Sequence, residues 1–242
     1  MDLDLLEQFL SEETEQRNGV CHYKKDGRRI PILMPVHVLG NMCDMDRLMA
    51  LAKQYNLTVI EDSTEALGSY YKGKHAGSIG LMGTFSYNGN KIITTGGGGM
   101  IVTDDEALAR KAKHLTTQAK SDPFEYVHDE IGYNYRLVNV AAAMGVAQME
   151  QLPGFIKRKQ EVMAFYKNEL LGVGDIKFQE VSADVNANCW LPTIMTEKQK
   201  DVLKILNDNK MQSRPFWVPM NQLSMFTNNI FYNKTNQSDF VY

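Results

Sequence analysis

The chain has 242 residues, of which 43% are hydrophobic and 23% are charged, and its formal net charge is −3. This composition is typical of a soluble globular protein with a real core, and so small a charge argues against a nucleic-acid surface or a polybasic membrane patch. The acidic start "MDLDLLEQFL" lacks the layout of a signal peptide, and no apolar run reaches the length of a membrane span. The three scattered cysteines predict neither a disulfide framework nor a metal site. We therefore expect a cytosolic protein.

The first half of the chain predicts a strand, a helix and a second strand. The run "IPILMPVHVLG" (30–40) is continuously apolar, which predicts a strand covered on both faces. A helix capped by Asp44 follows, and "LTVIED" (57–62) predicts another short buried strand. This succession predicts a parallel sheet with covering helices.

The middle of the chain predicts a ribbon and two further strands. "GSYYKGKHAGSIG" (68–80) is rich in glycine and polar residues, as expected for a surface loop or small ribbon. "MGTFSY" (82–87) and "GMIVTD" (99–104) predict strands on either side of the stretch "NGNKIITTGGG". A helix with its cap at Asp104 or Asp105 follows them.

The second half of the chain predicts helices and then a new α+β unit. A helical stripe of small residues suits close packing against another helix or subunit; it consists of Val140, Ala143, Met144 and Ala147. Pro153 is expected to break or restart this helix. The segments 187–195, 196–209 and 211–219 predict a strand, a helix and a strand.

Several residues in these segments have side chains suited to chemistry, although each signal is weak by itself. Asp62 ends a strand, where parallel sheets bind ligands, but an isolated acid there is more often a cap or a turn residue. Ser86 and Asn88 could donate to a phosphate or satisfy a turn, and Lys91 alone reads as a solvated charge. The glycines 96–99 supply positive φ, close backbone approach, or both. Together they match the needs of pyridoxal 5′-phosphate (PLP), namely a lysine for the Schiff base, a carboxylate for the ring nitrogen and donors for the phosphate.

Two long motifs resemble a known family. The segment from "PVHVLG" to "DEALARKAKHL" (35–115) is similar to the core of the DegT/DnrJ/EryC1/StrS family of PLP-dependent sugar aminotransferases, and "IGYNYRLVNVAAAMGVAQMEQL" (131–152) resembles its next motif. "EDSTEALGS" and "SYNGNKIITTGGGGM" are most similar to the branch that aminates 4-keto nucleotide sugars on routes to legionaminic acid and bacillosamine-type sugars.

The resemblance implies a fold and an activity. It implies the type I (aspartate aminotransferase-like) fold of PLP-dependent transferases, with part of the large PLP-binding domain in residues 1–150. Residues 151–242 would form a linking helix and an incomplete small C-terminal domain. The expected substrates are a UDP- or GDP-linked 4-keto sugar and an amino donor, which the resemblance implies to be glutamate, on a route to cell-surface glycans. Full-length members begin with a further Gly-Thr phosphate loop and a stacking aromatic residue, so we expect this chain to be an internal piece of such an enzyme.

The resemblance also implies a role for each matching residue at the cofactor. Lys91 would be the Schiff-base lysine, and Asp62 would pair with the pyridinium nitrogen. Ser86 would bind the cofactor phosphate. Glu65 stands where many members have Gln, beside the pyridine ring and its 3-hydroxyl. The "GGGG" at 96–99 replaces the commoner Gly-Glu-Gly-Gly.

Two further matches imply an assembly. Asn134 would reach the phosphate of the neighbouring subunit's cofactor, and Arg136 would lie near that shared site, where it could meet the carboxylate of the amino donor. These roles imply a homodimer with shared active sites.

Two other classes of protein remain open on the sequence. The first is a family member without transaminase activity, either dehydratase-like or inactive; the sugar dehydratase variant has His where this chain has Lys91. The second is a non-enzymatic α/β nucleotide-binding module, which needs a glycine-rich loop directly between its first strand and helix. No such loop is present in the sequence.

Overall fold

The computed structural model of this protein describes residues 1–122 and 124–233. The helices are α1 (Leu3–Glu13), α2 (Met45–Gln54), α3 (Glu106–Thr116), α4 (Asn139–Leu170) and α5 (Gln199–Asp208). The strands of the first half are β1 (Thr14–Arg17), β2 (Val20–Tyr23), β3 (Ile32–Leu33), β4 (Thr58–Asp62), β5 (Tyr70–Tyr71), β6 (Lys74–His75), β7 (Met82–Ser86) and β8 (Gly99–Val102). Those of the second half are β9 (Lys120–Asp122), β10 (Val127–His128), β11 (Lys177–Phe178), β12 (Val185–Asn186) and β13 (Ile194–Met195). Short 3-10 turns lie at Val38–Gly40, Met220–Gln222 and Ser224–Phe226.

The main sheet has the strand order β3-β4-β7-β8. Strands β3, β4 and β7 run parallel, and β8 pairs antiparallel with β7. Helix α2 connects β3 to β4 and begins where the Asp44 carboxylate accepts a hydrogen bond from Arg47 N at 3.0 Å. The predicted parallel sheet with covering helices is therefore confirmed.

One face of this sheet packs on the main core. Helices α1 and α2 bury Leu10, Met45 and Leu48 in a cluster that includes Leu33 and Val59 from the strands. Full burial of each such side chain stabilises the fold by about 1.5–3 kcal/mol. This core fixes the position of strand β4, which ends at Asp62.

The other face of β3 is open, so the prediction of a strand covered on both faces is wrong. Ile32, Met34 and Val36 are 46%, 52% and 47% exposed, whereas Leu33 and Pro35 between them are buried. A continuous apolar run indicates that both faces are suited to burial, but it does not say which face a neighbouring element covers.

Helix α4 runs through Pro153 without a break, contrary to the predicted restart. The proline removes one backbone hydrogen bond. Side chains on both sides of it hold the helix in place, because Leu152 and Ile156 pack in the cluster around Phe85 and Ile93. The predicted division of the chain at residue 150 falls inside this helix and stays a prediction.

The C-terminal part contains a two-stranded antiparallel sheet and one α-helix. Strands β11 and β13 pair antiparallel, and α5 follows them. The strand predicted at 211–219 is wrong, since these described residues form no strand. Pro215 and Pro219 lack the backbone N–H that a ladder needs. Residues 234–242, the end of the predicted smaller domain, lie outside the described residues.

The C-terminal part is joined to the first half through the ribbon predicted at 68–80. Strands β5 and β6 form this ribbon, which confirms the prediction, and β12 adds to it as a third strand. Within residues 1–122 and 124–233, no helix is both long enough and apolar enough to span a membrane.

Candidate active site

Lys91 lies in the loop after β7, at the side of a small pocket. Its ammonium is 3.7 Å from the carboxylate of Glu65 and 4.2 Å from the centre of the Trp190 ring. The side chains of Lys91 and Glu65 are only 13% and 14% exposed. The pocket is lined by Thr64, Glu65, Leu67, Ser86, Lys91, Ile92, Ile93, Asn188 and Trp190. The structure therefore brings three of the predicted site residues together: Glu65, Ser86 and Lys91.

The loop that carries Lys91 is folded back on β7 by its own backbone. Lys91 N donates to Asn88 O at 3.0 Å, and Thr95 N donates to Tyr87 O at 3.1 Å. The buried Ile93 anchors the middle of the loop. Lys91 is therefore carried by a short loop whose backbone is fixed, in contrast to the solvated lysine that the residue alone suggested.

The glycines after this loop serve the purposes that the sequence predicted. Gly96 and Gly98 have positive φ angles of 81° and 89°. Gly99 lies against β7 so closely that an added Cβ would come within 2.5 Å of Phe85 O. The glycine run therefore lets the chain turn and re-enter the sheet as β8.

Glu65 is held from two sides. Leu39 N donates to its Oε2 at 2.7 Å, while its other oxygen faces Lys91. A glutamine at this position could still accept from Leu39 N, but it could not form the ion pair. The carboxylate therefore gives this pocket a negative charge beside its lysine.

Asp62 ends β4 at the same edge of the sheet. It pairs in register with Thr84, two residues before Ser86 on the neighbouring parallel strand. Because side chains alternate along a strand, Asp62, Thr84 and Ser86 share the open face of the sheet. Asp62 Oδ1 also accepts from Thr64 N at 3.1 Å, so the carboxylate shapes the turn as well.

A buried pair lies directly behind Asp62, and the sequence did not reveal it. His37 Nε2 donates to Glu61 Oε2 at 2.9 Å, and both side chains are almost completely buried. Burial raises the pKa of Glu61, but hydrogen bonds from His37, Gly80, Gly77 and Ile79 outweigh it and leave this pKa below its ordinary value. The carboxylate is therefore a charged anchor for the elements around Asp62.

Asn134 and Arg136 lie elsewhere. Both are exposed in the segment before α4, and neither lines the pocket of Lys91 in the part of the chain that the structure describes. Asn134 forms an isolated bridge with Thr117. The predicted small-residue stripe on α4 is likewise exposed, with Val140 at 78% and Met144 at 45%.

Comparison with known proteins identifies the family. The model of the DegT/DnrJ/EryC1/StrS aminotransferase family matches residues 26–241. The chain belongs to this family. It is 41% identical over 218 residues to the GDP-perosamine synthase of Escherichia coli O157:H7, covering 89% of this chain and 59% of that protein. It is 38% identical over 212 residues to EpsN of Bacillus subtilis (strain 168), covering 86% and 55%.

A solved structure supports the fold. A DegT DnrJ EryC1 StrS aminotransferase from Brucella abortus superposes with a TM-score of 0.83 at 22% identity, covering 94% of this chain and 58% of that one. The type I fold of PLP-dependent transferases is therefore confirmed. The chain spans a little over half the length of these relatives.

The donor groups of the pocket fit the cofactor that this family implies. An aldehyde cofactor needs an amine, and the amine of Lys91 lines the pocket. A phosphate needs a hydroxyl or amide donor, and Ser86 lines the same pocket. A basic ring nitrogen needs a carboxylate, and Asp62 ends the adjacent strand on the same face.

Proposed function

We propose that this protein acts as a PLP-dependent aminotransferase, which converts the keto group of a nucleotide sugar to an amine. The observation that supports it most directly is the convergence of Lys91, Glu65 and Ser86 in one pocket at the end of β7, with Asp62 at the end of β4. In parallel sheets, ligands bind outside the carboxyl ends of the strands.

Each of these residues then has a task. When bound, PLP supplies an electron sink for the carbon that loses its proton. Lys91 would hold the cofactor covalently and move a proton on and off that carbon through its Nζ. Asp62 would keep the ring nitrogen protonated, because an opposite charge favours the charged form. Ser86 would donate to the phosphate, and Glu65 would lie by the ring and its 3-hydroxyl.

For the substrate, we propose a 4-keto-6-deoxy sugar linked to UDP or GDP, with glutamate as the amino donor and cell-surface glycan as the destination. The similarity to a protein named GDP-perosamine synthase supports a nucleotide-sugar substrate. The legionaminic acid and bacillosamine branch, which the motifs at 61–69 and 86–100 resemble, would use a UDP- or GDP-linked 4-keto-6-deoxy amino sugar.

For the assembly, we propose a cytosolic homodimer in which Asn134 acts at the neighbouring subunit's cofactor phosphate and Arg136 meets the amino donor's carboxylate. The exposure of Val140 and Met144 on α4 supports a helix that packs against a second subunit. Asn134 and Arg136 precede that helix and would be carried with it across the interface.

The test is a single turnover in two stages. The full-length protein is incubated with PLP and glutamate, and the 2-oxoglutarate formed is measured; about one equivalent per chain is expected, and none from Lys91→Ala. UDP- and GDP-linked 4-keto-6-deoxy sugars are then added separately, and the aminated product is identified by mass spectrometry. Equal 2-oxoglutarate from both proteins would contradict the proposal.

A further inference from the structure

Trp190 touches the lysine of the proposed site but has no role in the function proposed above. The centre of its ring lies 4.2 Å from Lys91 Nζ, and the residue is 2% exposed. A cation over the face of an indole at this distance is attracted by the ring quadrupole, most strongly where water is excluded. The ring therefore acts directly on the atom that would bind the cofactor.

The indole ring is itself fixed from three sides. Its Nε1 donates to Asn90 O at 2.7 Å, next to Lys91 in the chain. The backbone N of Trp190 donates to Asn188 Oδ1 at 3.0 Å. The ring also stacks on that of Trp217, with ring centres 6.2 Å apart and planes 9° from parallel. A ring held in this way can set the position of a flexible neighbour.

Asn188 extends the same support to Glu65. It is fully buried, and its Nδ2 donates to the backbone oxygens of Glu65 at 2.8 Å and Leu67 at 3.0 Å. Residues 188–190 therefore hold the backbone at Glu65 through Asn188 and the backbone beside Lys91 through Trp190.

We propose that Trp190 is a positioning residue, which fixes the amino group of Lys91 for condensation with the aldehyde of the cofactor. Glu65, 3.7 Å from Nζ, can take the proton that the ammonium must release before it attacks. The step replaces the C=O bond of the aldehyde with a C=N bond to Nζ, and the aldehyde oxygen leaves as water with two of the Nζ protons. This inference rests on the proposed role of Lys91. A lysine side chain has four rotatable bonds, and the ring face and Glu65 together restrict its tip to one location. Without the ring, the tip is free on one side and reaches the productive position less often.

The test measures how strongly Lys91 is preferred over other lysines of the same molecule. The protein is exposed briefly to limiting PLP and reduced with borohydride, and the labelled peptides are quantified. Lys72 and Lys120 serve as internal standards, because they also lie over aromatic rings, those of Tyr71 and Tyr126. Lys72 is exposed and Lys120 is half-buried. The readout is the ratio of label on Lys91 to label on these two.

Three variants separate positioning from folding. Trp190→Leu should lower the ratio by about five- to tenfold. Trp190→Phe keeps a ring face and should stay within about twofold of the parent. Trp217→Leu, the matched control, removes only the outer ring of the stack and should also stay within about twofold. Thermal melting of each variant shows that the labelled protein is folded.

A second measurement does not depend on the folding of a Trp190 variant. The chain has two tryptophans, so Trp217→Phe leaves Trp190 as its only tryptophan, which is excited selectively over the tyrosines. In that background, Lys91→Met should shift the fluorescence of Trp190, while Lys72→Met should not.

The outcomes distinguish the two proposals. An unchanged or raised label ratio in folded Trp190→Leu, or the same emission with and without Lys91, would overturn the role of Trp190. A parent protein that labels Lys91 no more than Lys72 would instead overturn the proposed role of Lys91 itself.

Discussion

Lys91 is held at its tip by two groups of different kinds, a carboxylate and an aromatic face. Glu65 lies 3.7 Å away, and the Trp190 ring centre lies 4.2 Å away. Both attract a cation, and both are largely shielded from water. The amine of this pocket is therefore placed by side chains, not left to sample solvent.

Asp62 gives the first prediction at this scale. Asp62→Asn should still form the covalent cofactor adduct at Lys91, but it should slow the release of 2-oxoglutarate from glutamate by about a hundredfold or more, because an amide cannot hold the ring nitrogen protonated. That loss corresponds to about 2.7 kcal/mol of barrier. The single-turnover rate is the measurement, and a loss of only about twofold would contradict the role.

The sequence predicted contacts between residues that are close together in the chain better than contacts between residues that are far apart in it. Glu65, Ser86 and Lys91 share a pocket, as the family motifs implied. Trp190 could not be predicted, because its contact with Asn90 joins residues 100 positions apart and no periodicity marks it. The only local signal was a tryptophan next to a short polar run, which is common in cores.

Glu61 is the residue through which several elements meet. Its carboxylate accepts from Ile79 N at 2.7 Å, Gly80 N at 2.6 Å and Gly77 N at 2.8 Å, and from His37 at 2.9 Å. These bonds tie the end of β4 to the segment after β3 and to the loop before β7. The position of Asp62 depends on this junction.

Glu61→Gln should therefore destabilise the fold by about 1–3 kcal/mol, because one amide oxygen cannot replace a carboxylate that accepts four hydrogen bonds. The hydrogen bonds lower the pKa of Glu61 from its ordinary 4.5, so its contribution is fully present above that pH. The contribution is lost as the pH falls through the folded-state pKa. Urea unfolding at neutral and acidic pH measures both effects.

The matched control is Glu161→Gln, which removes an exposed carboxylate 3.3 Å from Arg158. It should change the unfolding free energy by less than about 0.5 kcal/mol. If both variants had the same pH dependence of stability, Glu61 would not be the anchor.

The glycine run supports a second prediction at the scale of elements. Gly97 has no atom within 4 Å of a would-be Cβ, and its φ is not positive. Gly98 has φ 89°, and a Cβ there would lie 2.8 Å from Leu137 Cδ1. Gly97→Glu, which restores the commoner family pattern, should change stability by under about 0.5 kcal/mol, while Gly98→Ala should cost about 1–2 kcal/mol. Thermal unfolding measures the stability of both variants, and an equal loss of stability in the two would contradict this account.

Helices and strands were predicted correctly where the local apolar spacing and a cap residue determine them. Strands β4 and β7 and helix α2 lie where the apolar spacing and the Asp44 cap indicated. The open face of β3 and the absence of a strand in the described residues 211–219 could not be predicted, because both depend on which neighbour is available for pairing or cover.

At the scale of the whole molecule, two of the apolar surfaces exposed in the described residues bear on assembly. One is the open face of β3, with Ile32, Met34 and Val36, and the other is the α4 surface that includes Val140 and Met144. Patches of this kind are typical of surfaces that bind other protein. The second surface adjoins Asn134 and Arg136, which agrees with the proposed homodimer.

The shared site predicts a specific result from mixed subunits. Lys91→Ala chains and Asn134→Ala chains should each be inactive, but an equal mixture should regain about a quarter of the parent activity, because half the dimers contain one intact site of two. Activity that stays at the level of the separate variants would show that Asn134 does not act across the interface.

The central claim is that Lys91 is the residue that binds the cofactor, and borohydride trapping tests it most directly. The protein is incubated with PLP, reduced, digested and mapped by mass spectrometry, with Lys91→Ala in parallel. The account predicts that the label falls predominantly on the Lys91 peptide and that no other lysine of the variant takes its place. Label spread evenly over the surface lysines, or an unchanged total in Lys91→Ala, would contradict it.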